Sequence, residues 1–543
     1  MYHNMKKYIK NIVPAVLLAL SAGVTTSCVG DLDVEPIDPN LVLLDQETIP
    51  NLFNKCYANI ALAGNSGPDG DCDINGLDGG TTGMVRQMFN TNELTTDEAI
   101  CGWGDPGIAE FCYNTYDAAH PMVKGYYYRL YNGITLCNHY LAVAAEYDAT
   151  MTAEVRFLRS LYYYLAMDAF GNIPFITNVG DKAVQMPRAE MFKFIETELL
   201  EAEAGLAEAK AKNSSDANYG RVDKAAAWML LARLYLNAEV YTGTAQWDKA
   251  AEYAKKVMNS SYKLNTTGAN GWSAYQMLFM GDNGESTASQ EAVFPILQDG
   301  LTTASYGTFF FLMASTFTGD MYANPFDATA LNGSADGSWG GNRARPDLIK
   351  KFFPLGDAPA ISSIDMPGAA GDDRAIFWGM DRTLDNNDVT NFKDGYSIAK
   401  FVNFKSDGST MHDSKFPDAD FFFFRTAEAY LTFAEATARQ NGGKTTAEGT
   451  DAVNALRKRA NASTGSEYSL DNLLDEWSRE FYFEGRRRVD LIRHNKFGGN
   501  NGYNWQWKGG VKEGTNFAAT KNVFAIPTDD LIQNNNLVQN PGY

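Results

Sequence analysis

A helical periodicity of apolar residues runs through the stretch Ala153–Thr177, which reads AEVRFLRSLYYYLAMDAFGNIPFIT. The apolar positions with near-helical spacing are Phe157, Leu161, Leu165, Met167 and Phe170. This spacing predicts a helix that buries one face against other helices and ends at Gly171 and Pro174. The consecutive tyrosines Tyr162–Tyr164 point in different directions around such a helix, so we expect their hydroxyls to find partners. The stretch is therefore predicted to be a central packing element.

Further helices are predicted on both sides of this stretch. Their predicted bounds are Asp45–Ala63, Met122–Glu146, Arg188–Ala209, Phe424–Gln440, Thr445–Ala460 and Leu470–Asn495. Thr445 and Glu448 fit a capping box at the start of one of them. The charged residues of the last, among them Glu480, Glu484 and Arg487, favour a buried ion network over a binding site.

The segment Arg221–Met258 predicts a helical repeat. Its small and aromatic positions follow the order of the tetratricopeptide consensus with a few residues inserted at the turn: Trp228, Leu231, Ala232, Tyr235, Ala250, Ala254 and Val257. Such a helix pair cannot cover its own apolar faces, so it needs neighbouring helices. The chain is thus predicted to be mostly α, with tetratricopeptide-like repeats.

Other parts of the chain lack helical periodicity. Residues 64–83 form a predicted loop rich in Gly and Asp, and Met84–Trp103 alternates polar and aromatic residues without a helical period. From 263 to 420 the chain is rich in Gly, Asp, Asn, Ser and Phe, which predicts loops and short strands. Loops on a rigid scaffold commonly carry binding function, so we expect the ligand site in this insertion.

The net charge limits the classes of ligand that the protein can bind. The 543 residues contain 66 Asp and Glu against 46 Lys and Arg, a formal net charge of −20. Phosphate backbones would be repelled, so nucleic acid is excluded as a partner. A neutral ligand is compatible with this charge.

The amino terminus is predicted to be a targeting segment. Lys6, Lys7 and Lys10 precede an apolar run, IVPAVLLAL, that is too short to span a bilayer comfortably, and small residues then lead to Cys28. This order resembles a bacterial lipoprotein signal with Cys28 as the lipidated first residue of the mature protein; the alternative is an ordinary secretory signal. The acidic segment 28–44 that follows is predicted to be a solvated tether.

Five cysteines follow the predicted signal: Cys56, Cys72, Cys101, Cys112 and Cys137. An odd number cannot all pair, and no CxxC spacing occurs, so the sequence implies neither a disulfide framework nor a zinc site. We expect mostly buried thiols.

Several blocks of the sequence resemble the SusD/RagB family of surface glycan-binding lipoproteins of the Bacteroidetes. The blocks occur in the family's order and include RFLRSLYYYLAMDAFGNIP, GRVDKAAAWMLLARLYLNAEVYTG, DFFFFRTAEAYLTFAEA, WSREFYFEGRRRVDL and VFAIPTDDLIQNNNLVQNPGY. The resemblance covers essentially the whole chain. It implies tetratricopeptide-like repeats in a right-handed solenoid under a loop-rich mixed cap, seated on a SusC-like TonB-dependent outer-membrane transporter.

The resemblance implies a division of the chain into five parts. These are a signal peptide at 1–27, an acidic tether at 28–44, an N-terminal helical region at 45–262, a loop-rich ligand-binding insertion at 263–420 and a C-terminal helical region at 421–543. The protein is expected at the cell surface, attached to the outer membrane by its lipid anchor.

The implied ligand is starch or a maltooligosaccharide. A pyranose has an apolar face and a rim of hydroxyls, so it needs exposed aromatic rings beside hydrogen-bonding groups. By resemblance to starch-binding members, the matching positions are Trp103, Tyr306 and Trp339, with Arg86 as a hydroxyl donor. Cys101 stands where a further tryptophan is expected, and Pro106 where an amide side chain is expected.

A calcium ion is a further expectation from the family, although no cofactor is required for binding. Asp282, Asp418 and Asp420 offer the oxygen ligands that calcium prefers, whereas Gly284 replaces an acidic ligand of a relative.

Other functions remain as alternatives. The same role for another polysaccharide fits the same features. A glycoside hydrolase needs two carboxylates facing each other across the bond, and adjacent pairs such as Asp97 with Glu98 or Asp372 with Asp373 do not give that geometry. A repeat scaffold that binds only proteins leaves the aromatic loops unexplained. We therefore expect a binding protein and not an enzyme.

Overall fold

The structure is a computed structural model that describes residues 48–68, 70, 72–74 and 77–543. The chain divides into two compact units, residues 1–51 and 52–543. Of the first unit only residues 48–51 are described, and they begin the helix Thr48–Ala61. The predicted signal, Cys28 and the tether lie outside the described residues.

The described part of the chain is mostly helical, as predicted. Its α-helices are Thr48–Ala61, Gly79–Thr82, Met84–Asn92, Ile108–Cys112, Pro121–Val143, Ala149–Phe170, Arg188–Glu203, Lys224–Leu236, Ala238–Thr242, Trp247–Met258, Phe309–Ala314, Pro346–Ile349, Met366–Ala370, Ala427–Gln440, Ala447–Arg459, Leu470–Phe481, Arg487–Arg493 and Thr528–Gln533. Short 3₁₀ turns occur at Gln276–Phe279, Thr287–Glu291, Lys508–Gly510 and Ala519–Asn522. Among these described residues no helix has the length and apolar character needed to cross a membrane.

The strands are short and form two-stranded antiparallel pairs. They are β1 (Ala99–Cys101), β2 (Ile173–Phe175), β3 (Val184–Met186), β4 (Ala292–Ile296), β5 (Asn342–Ala344), β6 (Phe377–Trp378), β7 (Ser397–Ile398) and β8 (Phe421–Arg425). The pairs are β1 with β5, β2 with β3, β4 with β8, and β6 with β7. Two of these pairs join segments that are far apart in sequence, so they tie the insertion to the helical regions.

The helix Ala149–Phe170 is the central packing element that its periodicity predicts. It packs between Pro121–Val143 and Arg188–Glu203. All three tyrosine hydroxyls have partners: Tyr162 donates to Cys56 O (2.8 Å), Tyr163 donates to Ile176 O (2.6 Å), and Tyr164 accepts from Tyr241 (3.4 Å). The buried rings thus contribute apolar contact while their hydroxyls stay satisfied.

The predicted repeat helices are present and continue into the C-terminal region. Lys224–Leu236 packs on Trp247–Met258, which packs in turn on Ala427–Gln440. Ala427–Gln440 also contacts Ala447–Arg459 and Leu470–Phe481. The helices before 263 and after 420 therefore cover one another's apolar faces, and the segment between them leaves and rejoins one helical stack.

Four details of the predicted elements are wrong. Met84–Asn92 is a helix, and its residues are buried on all sides, so no polar face marks the period. Phe421–Arg425 is a strand, and the cap of Ala447–Arg459 is Thr446 and not Thr445. The predicted helix Leu470–Asn495 breaks where Phe483 and Gly485 adopt φ values of 64° and 78°.

Around that break lies the predicted buried ion network. Glu480 binds Arg374 (3.2 Å), Arg425 (2.6 Å) and Arg459, and Glu291 also contacts Arg425 (3.2 Å) and Arg459 (3.1 Å). All five side chains are fully buried. The guanidinium groups hold the pKa of Glu480 at about 2 against the opposing effect of burial. Removing one member would leave uncompensated buried charge, so the network joins β8 firmly to the C-terminal helices.

The five cysteines of the described chain are free, and all but Cys72 are buried. Burial raises the pKa of the Cys101 and Cys112 thiols, which keeps them protonated.

Candidate functional site

The strand pair β1–β5 brings two distant aromatic segments together. Cys101 pairs with Asn342, and the Gly102 N–H donates to Gly341 O (3.1 Å). Trp103 lies two residues after β1, and Trp339 lies three residues before β5. The pairing therefore places both indoles at one end of the same short ribbon.

Trp103 packs against the backbone of Gly341, where any other residue would place a side chain in the space of the indole. Gly341 has a φ of 118°, and a Cβ at this position would overlap the Trp103 indole. Trp103 also packs edge-on against Phe311, with ring centroids 6.1 Å apart. The ring is half-buried and faces Trp339 at 6.4 Å with an angle of 57° between the planes.

Trp339 is the most open of the site's aromatic rings. Its side chain is 38% exposed, while its backbone N–H donates to Ala314 O (2.9 Å). The ring packs against Phe310 (5.0 Å) and Tyr306 (6.0 Å). An exposed aromatic face is thus held by buried neighbours on its other side.

Tyr306 is fixed by a lysine that also contacts its ring. Lys415 Nζ donates to the Tyr306 hydroxyl (2.9 Å), lies 4.9 Å from the ring centroid and pairs with Asp336 (2.8 Å). These partners raise the pKa of Lys415, with the hydrogen bond to Asp336 as the largest cause. The orientation of the Tyr306 ring is therefore set by a charge pair at the edge of the site.

Arg86 provides the site's buried cation. It lies on the helix Met84–Asn92, its guanidinium stacks over Trp103 (5.6 Å) and Phe311 (5.0 Å), and only 8% of the residue is exposed. Burial lowers the pKa of Arg86, opposed by the negative charge of Asp105. Its guanidinium makes no hydrogen bond or ion pair with the residues that the structure describes, and Nε is buried without a partner. Such a group is costly to bury unless an acceptor reaches it.

These side chains border a cavity of about 390 Å³. It is lined by Pro68, Gly70, Asp78, Gly79, Gly80, Arg86, Tyr306 and Trp339. The structure therefore brings together Arg86, Tyr306 and Trp339 from three distant parts of the sequence. Trp103 contacts Arg86 and Trp339 but does not line this cavity.

The two departures from the family pattern lie on either side of Trp103. Cys101 is 2% exposed within β1, so its side chain forms no platform for a ligand. Pro106 is exposed but has no hydrogen-bond donor. The aromatic surface is therefore built without help from these two positions.

The three predicted calcium ligands do not line this cavity, and each is engaged by the protein. Asp282 accepts from Ser406 N (3.0 Å), Asp418 from His412 N (3.1 Å), and Asp420 from Gln298 N (2.9 Å) and the Tyr219 hydroxyl (2.7 Å). No group of three or more metal-binding side chains occurs in the described part of the chain. This donor set does not fit a calcium ion as it stands, and calcium stays a prediction.

Burial makes Asp420 an unusual carboxyl. It raises the pKa of Asp420 to about 7, opposed by the hydrogen bonds from Gln298 and Tyr219 and reinforced by the charge of Asp418. A Cβ at Gly284 would lie 2.6 Å from Asp420 Oδ2. Any side chain at position 284 would therefore meet this carboxyl.

Sequence reasoning missed the residues that support the aromatic cluster. Phe310 and Phe311 pack beneath Trp339 and Trp103, and Lys415 orients Tyr306. The three consecutive phenylalanines at 309–311 are an apolar run that signals a buried support. No sequence pattern indicates that Lys415 meets Tyr306.

Comparison with known proteins places these features in a family context. The model of the SusD family matches residues 371–543. The chain is 38% identical to the starch-binding protein SusD of Bacteroides thetaiotaomicron over 577 aligned positions, which cover 99% of each chain.

Solved structures share the same fold at lower identity. Surface glycan-binding protein A from Bacteroides fluxus is 20% identical with a TM-score of 0.64, covering 92% of this chain and 100% of its own. A laminarin-binding SusD-like protein is 21% identical with a TM-score of 0.62, covering 92% of this chain and 100% of its own.

Proposed function

This chain belongs to the SusD family, and from that premise we propose that it is a cell-surface glycan-binding lipoprotein that captures starch or maltooligosaccharides. It holds the glucan without cleaving it and passes it to a partner TonB-dependent transporter. The observation that carries the proposal is the convergence of Trp339, Tyr306 and Arg86 on one cavity. The 38% identity to a protein named for starch binding supports the choice of ligand class.

The aromatic rings suit the apolar face of a sugar. Trp103 and Trp339 are inclined at 57°, and Tyr306 and Trp339 at 41°, so the three rings do not lie in one plane. An α-1,4-linked glucan is itself curved, so successive units meet successive rings. Each stacked unit contributes about 1 kcal/mol or more through apolar burial and ring contact.

Arg86 suits the hydroxyl rim of the same ligand. Its guanidinium carries five N–H donors in a planar fork and lies at the cavity wall without a protein acceptor among the described residues. A pair of neighbouring sugar hydroxyls supplies acceptors to such a fork. Binding then offsets part of the cost of burying the charge.

Membership of the SusD family supports a binding protein and not an enzyme, since the relative of 38% identity is named for starch binding. Adjacent carboxylates in the sequence do not give the geometry of a glycosidase, and in the structure they contribute to ion pairs. Asp97 binds Arg487 (2.7 Å) and Lys351 (2.9 Å), and Asp372 binds Arg374 (2.8 Å). Asp97, Glu98 and Asp372 are buried, so neither pair has two carboxylates that face each other across a bound glycan.

A set of binding isotherms tests the ligand. The panel comprises maltoheptaose, a cyclodextrin of equal length, laminarin, xylan, mannan and levan; laminarin is included because a neighbour of the same fold binds it. We expect binding of the α-glucans, with the cyclodextrin bound at least as tightly as the linear chain because its curvature is already fixed. Selective binding of laminarin or another non-α-glucan would overturn the ligand while leaving a glycan-binding role.

A further inference from the structure

Phe326 is an aromatic side chain left largely uncovered beside a cleft, where it contacts two of the cleft's lining residues, Gly271 and Trp272. It is 69% exposed, compared with 38% for Trp339. A single exposed apolar residue is ordinary, but a ring that is held rigidly beside a polar cleft is a different arrangement.

The backbone around Phe326 is fixed by a series of turns. The Phe326 N–H donates to Asn324 Oδ1 (2.9 Å), and Pro325 restricts the intervening residue. On the other side, Asp327 Oδ1 accepts from Thr329 N (2.9 Å). The ring is therefore presented by a constrained turn.

The ring itself rests on two neighbours. It meets Trp272 edge-on, with centroids 6.0 Å apart and planes at 85°. Gly271 has a φ of 89°, and a Cβ there would lie 3.0 Å from Phe326 Cζ, so glycine allows the close approach. Trp272 is itself fixed, because its Nε1–H donates to Ser406 O (3.2 Å) and its ring lies 5.4 Å from Phe404.

The cleft beside this ring has a volume of about 600 Å³, within the range of roughly 300–1,000 Å³ that small-molecule sites occupy. Its walls come from the segments 268–276, 323–325 and 364–373 and from Asn461. A neighbouring cleft of about 680 Å³ adjoins it and shares Gly268, Trp272, Ser273 and Asn461. None of these residues lines the cavity at Trp339.

Polar groups in the cleft are available to a ligand. Asn461 Nδ2 donates to Asp373 Oδ2 (2.6 Å), which orients both side chains; the second oxygen of Asp373 and the amide oxygen of Asn461 accept no hydrogen bond from any residue that the structure describes. Asn270 makes no side-chain hydrogen bond to any residue that the structure describes, and Gln276 uses only its oxygen, on Ser273 N (3.0 Å). The cleft therefore offers donors and acceptors beside the exposed ring of Phe326, the pairing that a neutral sugar requires.

We infer that this cleft is a second saccharide-binding site, in which Phe326 stacks on one sugar unit and Asn270, Asp373 and Asn461 bind its hydroxyls. The inference rests on the proposed function, because the expected ligand is the same neutral glycan. The two sites then engage separate stretches of one long chain. Binding at the second becomes intramolecular once the first is occupied, which raises affinity for polymers more than for short oligosaccharides.

Four proteins test this inference: the parent chain, Trp339→Ala, Phe326→Ala and the double variant. Leu355→Ala is the matched control, since Leu355 is an apolar side chain that is 86% exposed. Isotherms and saturation-transfer NMR are recorded with maltoheptaose, with long amylose and with the other glycans of the panel. Circular dichroism and thermal melting establish that each variant is folded.

The expected result is a separation of short and long ligands. Phe326→Ala keeps the dissociation constant for maltoheptaose within about twofold but weakens amylose binding about tenfold. Trp339→Ala retains weak binding of a panel glycan, and the double variant loses it. Asn270→Gly, which keeps a backbone with φ of 52°, reproduces the effect of Phe326→Ala.

Two results overturn the second site. One is the absence of any glycan signal in Trp339→Ala. The other is a glycan signal that the Phe326→Ala change leaves unaltered, both in the parent and in Trp339→Ala. Failure of the proposed function gives a different result: the parent's glycan binding then does not depend on Trp339. Dependence on Phe326 is measured separately in every case.

Discussion

The indole of Trp103 lies 6.4 Å from the indole of Trp339, although the two residues come from distant parts of the chain. The β1–β5 pair sets this distance, because Trp103 follows one strand and Trp339 precedes the other. Gly341 permits it, since any side chain there would occupy the space of Trp103. The aromatic surface is therefore a property of the strand pairing and not of either loop alone.

Replacement of Trp339 is expected to remove most α-glucan binding. In Trp339→Ala the exposed stacking face is lost, so affinity falls by about tenfold or more, equivalent to about 1.4 kcal/mol. Because the ring also contacts Phe310, we expect a small loss of stability, on the order of 1 kcal/mol. Titration calorimetry and thermal melting measure the two effects.

Tyr147→Ala serves as the control for this change, since Tyr147 is a similarly exposed aromatic residue (42%) that does not line the cavity. An unfolded Trp339→Ala protein, or one that binds starch as the parent does, would mean that Trp339 acts as a core residue.

Removal of the Arg86 charge is expected to weaken glucan binding without lowering the stability of the protein. Arg86→Met keeps the apolar contact with Trp103 and Phe311 but loses the hydroxyl donors, so glucan affinity falls about tenfold. The free energy of unfolding stays constant or rises, because a buried cation without a described protein partner is removed. Calorimetry and urea unfolding measure the two quantities, and a marked loss of stability with unchanged affinity would contradict a binding role.

The pKa of Asp420 predicts a pH-dependent stability. Its folded pKa of about 7 lies above the ordinary value of 3.8, so the protonated form is favoured by folding. The stabilisation is complete below about pH 4 and is lost as the pH rises toward 7, by about 1.4 kcal/mol per unit. Asp420→Asn should flatten this slope in urea unfolding measured from pH 5 to pH 7.5.

Calcium provides the control for that experiment. If calcium binds by displacing the protein contacts of Asp420, it favours the charged form, so added calcium flattens the slope of the parent and leaves Asp420→Asn unaffected. A parent profile that is unchanged by calcium and by a chelator would count against the expected ion.

The lipid anchor is tested at Cys28. Because Cys28 follows the apolar run and small residues, Cys28→Ala is expected to release the protein from the membrane fraction. Surface labelling and protease treatment of intact cells measure where the parent is exposed. Parent protein that is membrane-bound yet protected from both would place the anchor on the periplasmic side.

The transporter partner is tested by purification in mild detergent. We expect the parent to co-purify with a TonB-dependent outer-membrane receptor, as the family resemblance implies. A parent protein that stays solitary under these conditions would contradict the proposed delivery step.

The sequence by itself determined the helical architecture. The central helix, the repeat pair at Arg221–Met258 and the buried charges around Glu480 were all recognisable, because amphipathic spacing and local order report directly on burial. The resemblance, which rests on blocks spread over the whole chain, also gave the family. Where a helix is buried on every side, as at Met84–Asn92, the period disappears and the sequence gives no signal.

Only the tertiary structure decided how the site is assembled. Nothing local indicates that Gly341 receives Trp103, that Lys415 fixes Tyr306, or that Arg86 is buried with its donors unused. Likewise, Phe326 looks like any loop phenylalanine until Gly271 and Trp272 are placed beneath it. These are contacts between residues far apart in the chain, set by strand pairing and packing, and periodicity carries information only about neighbours within an element.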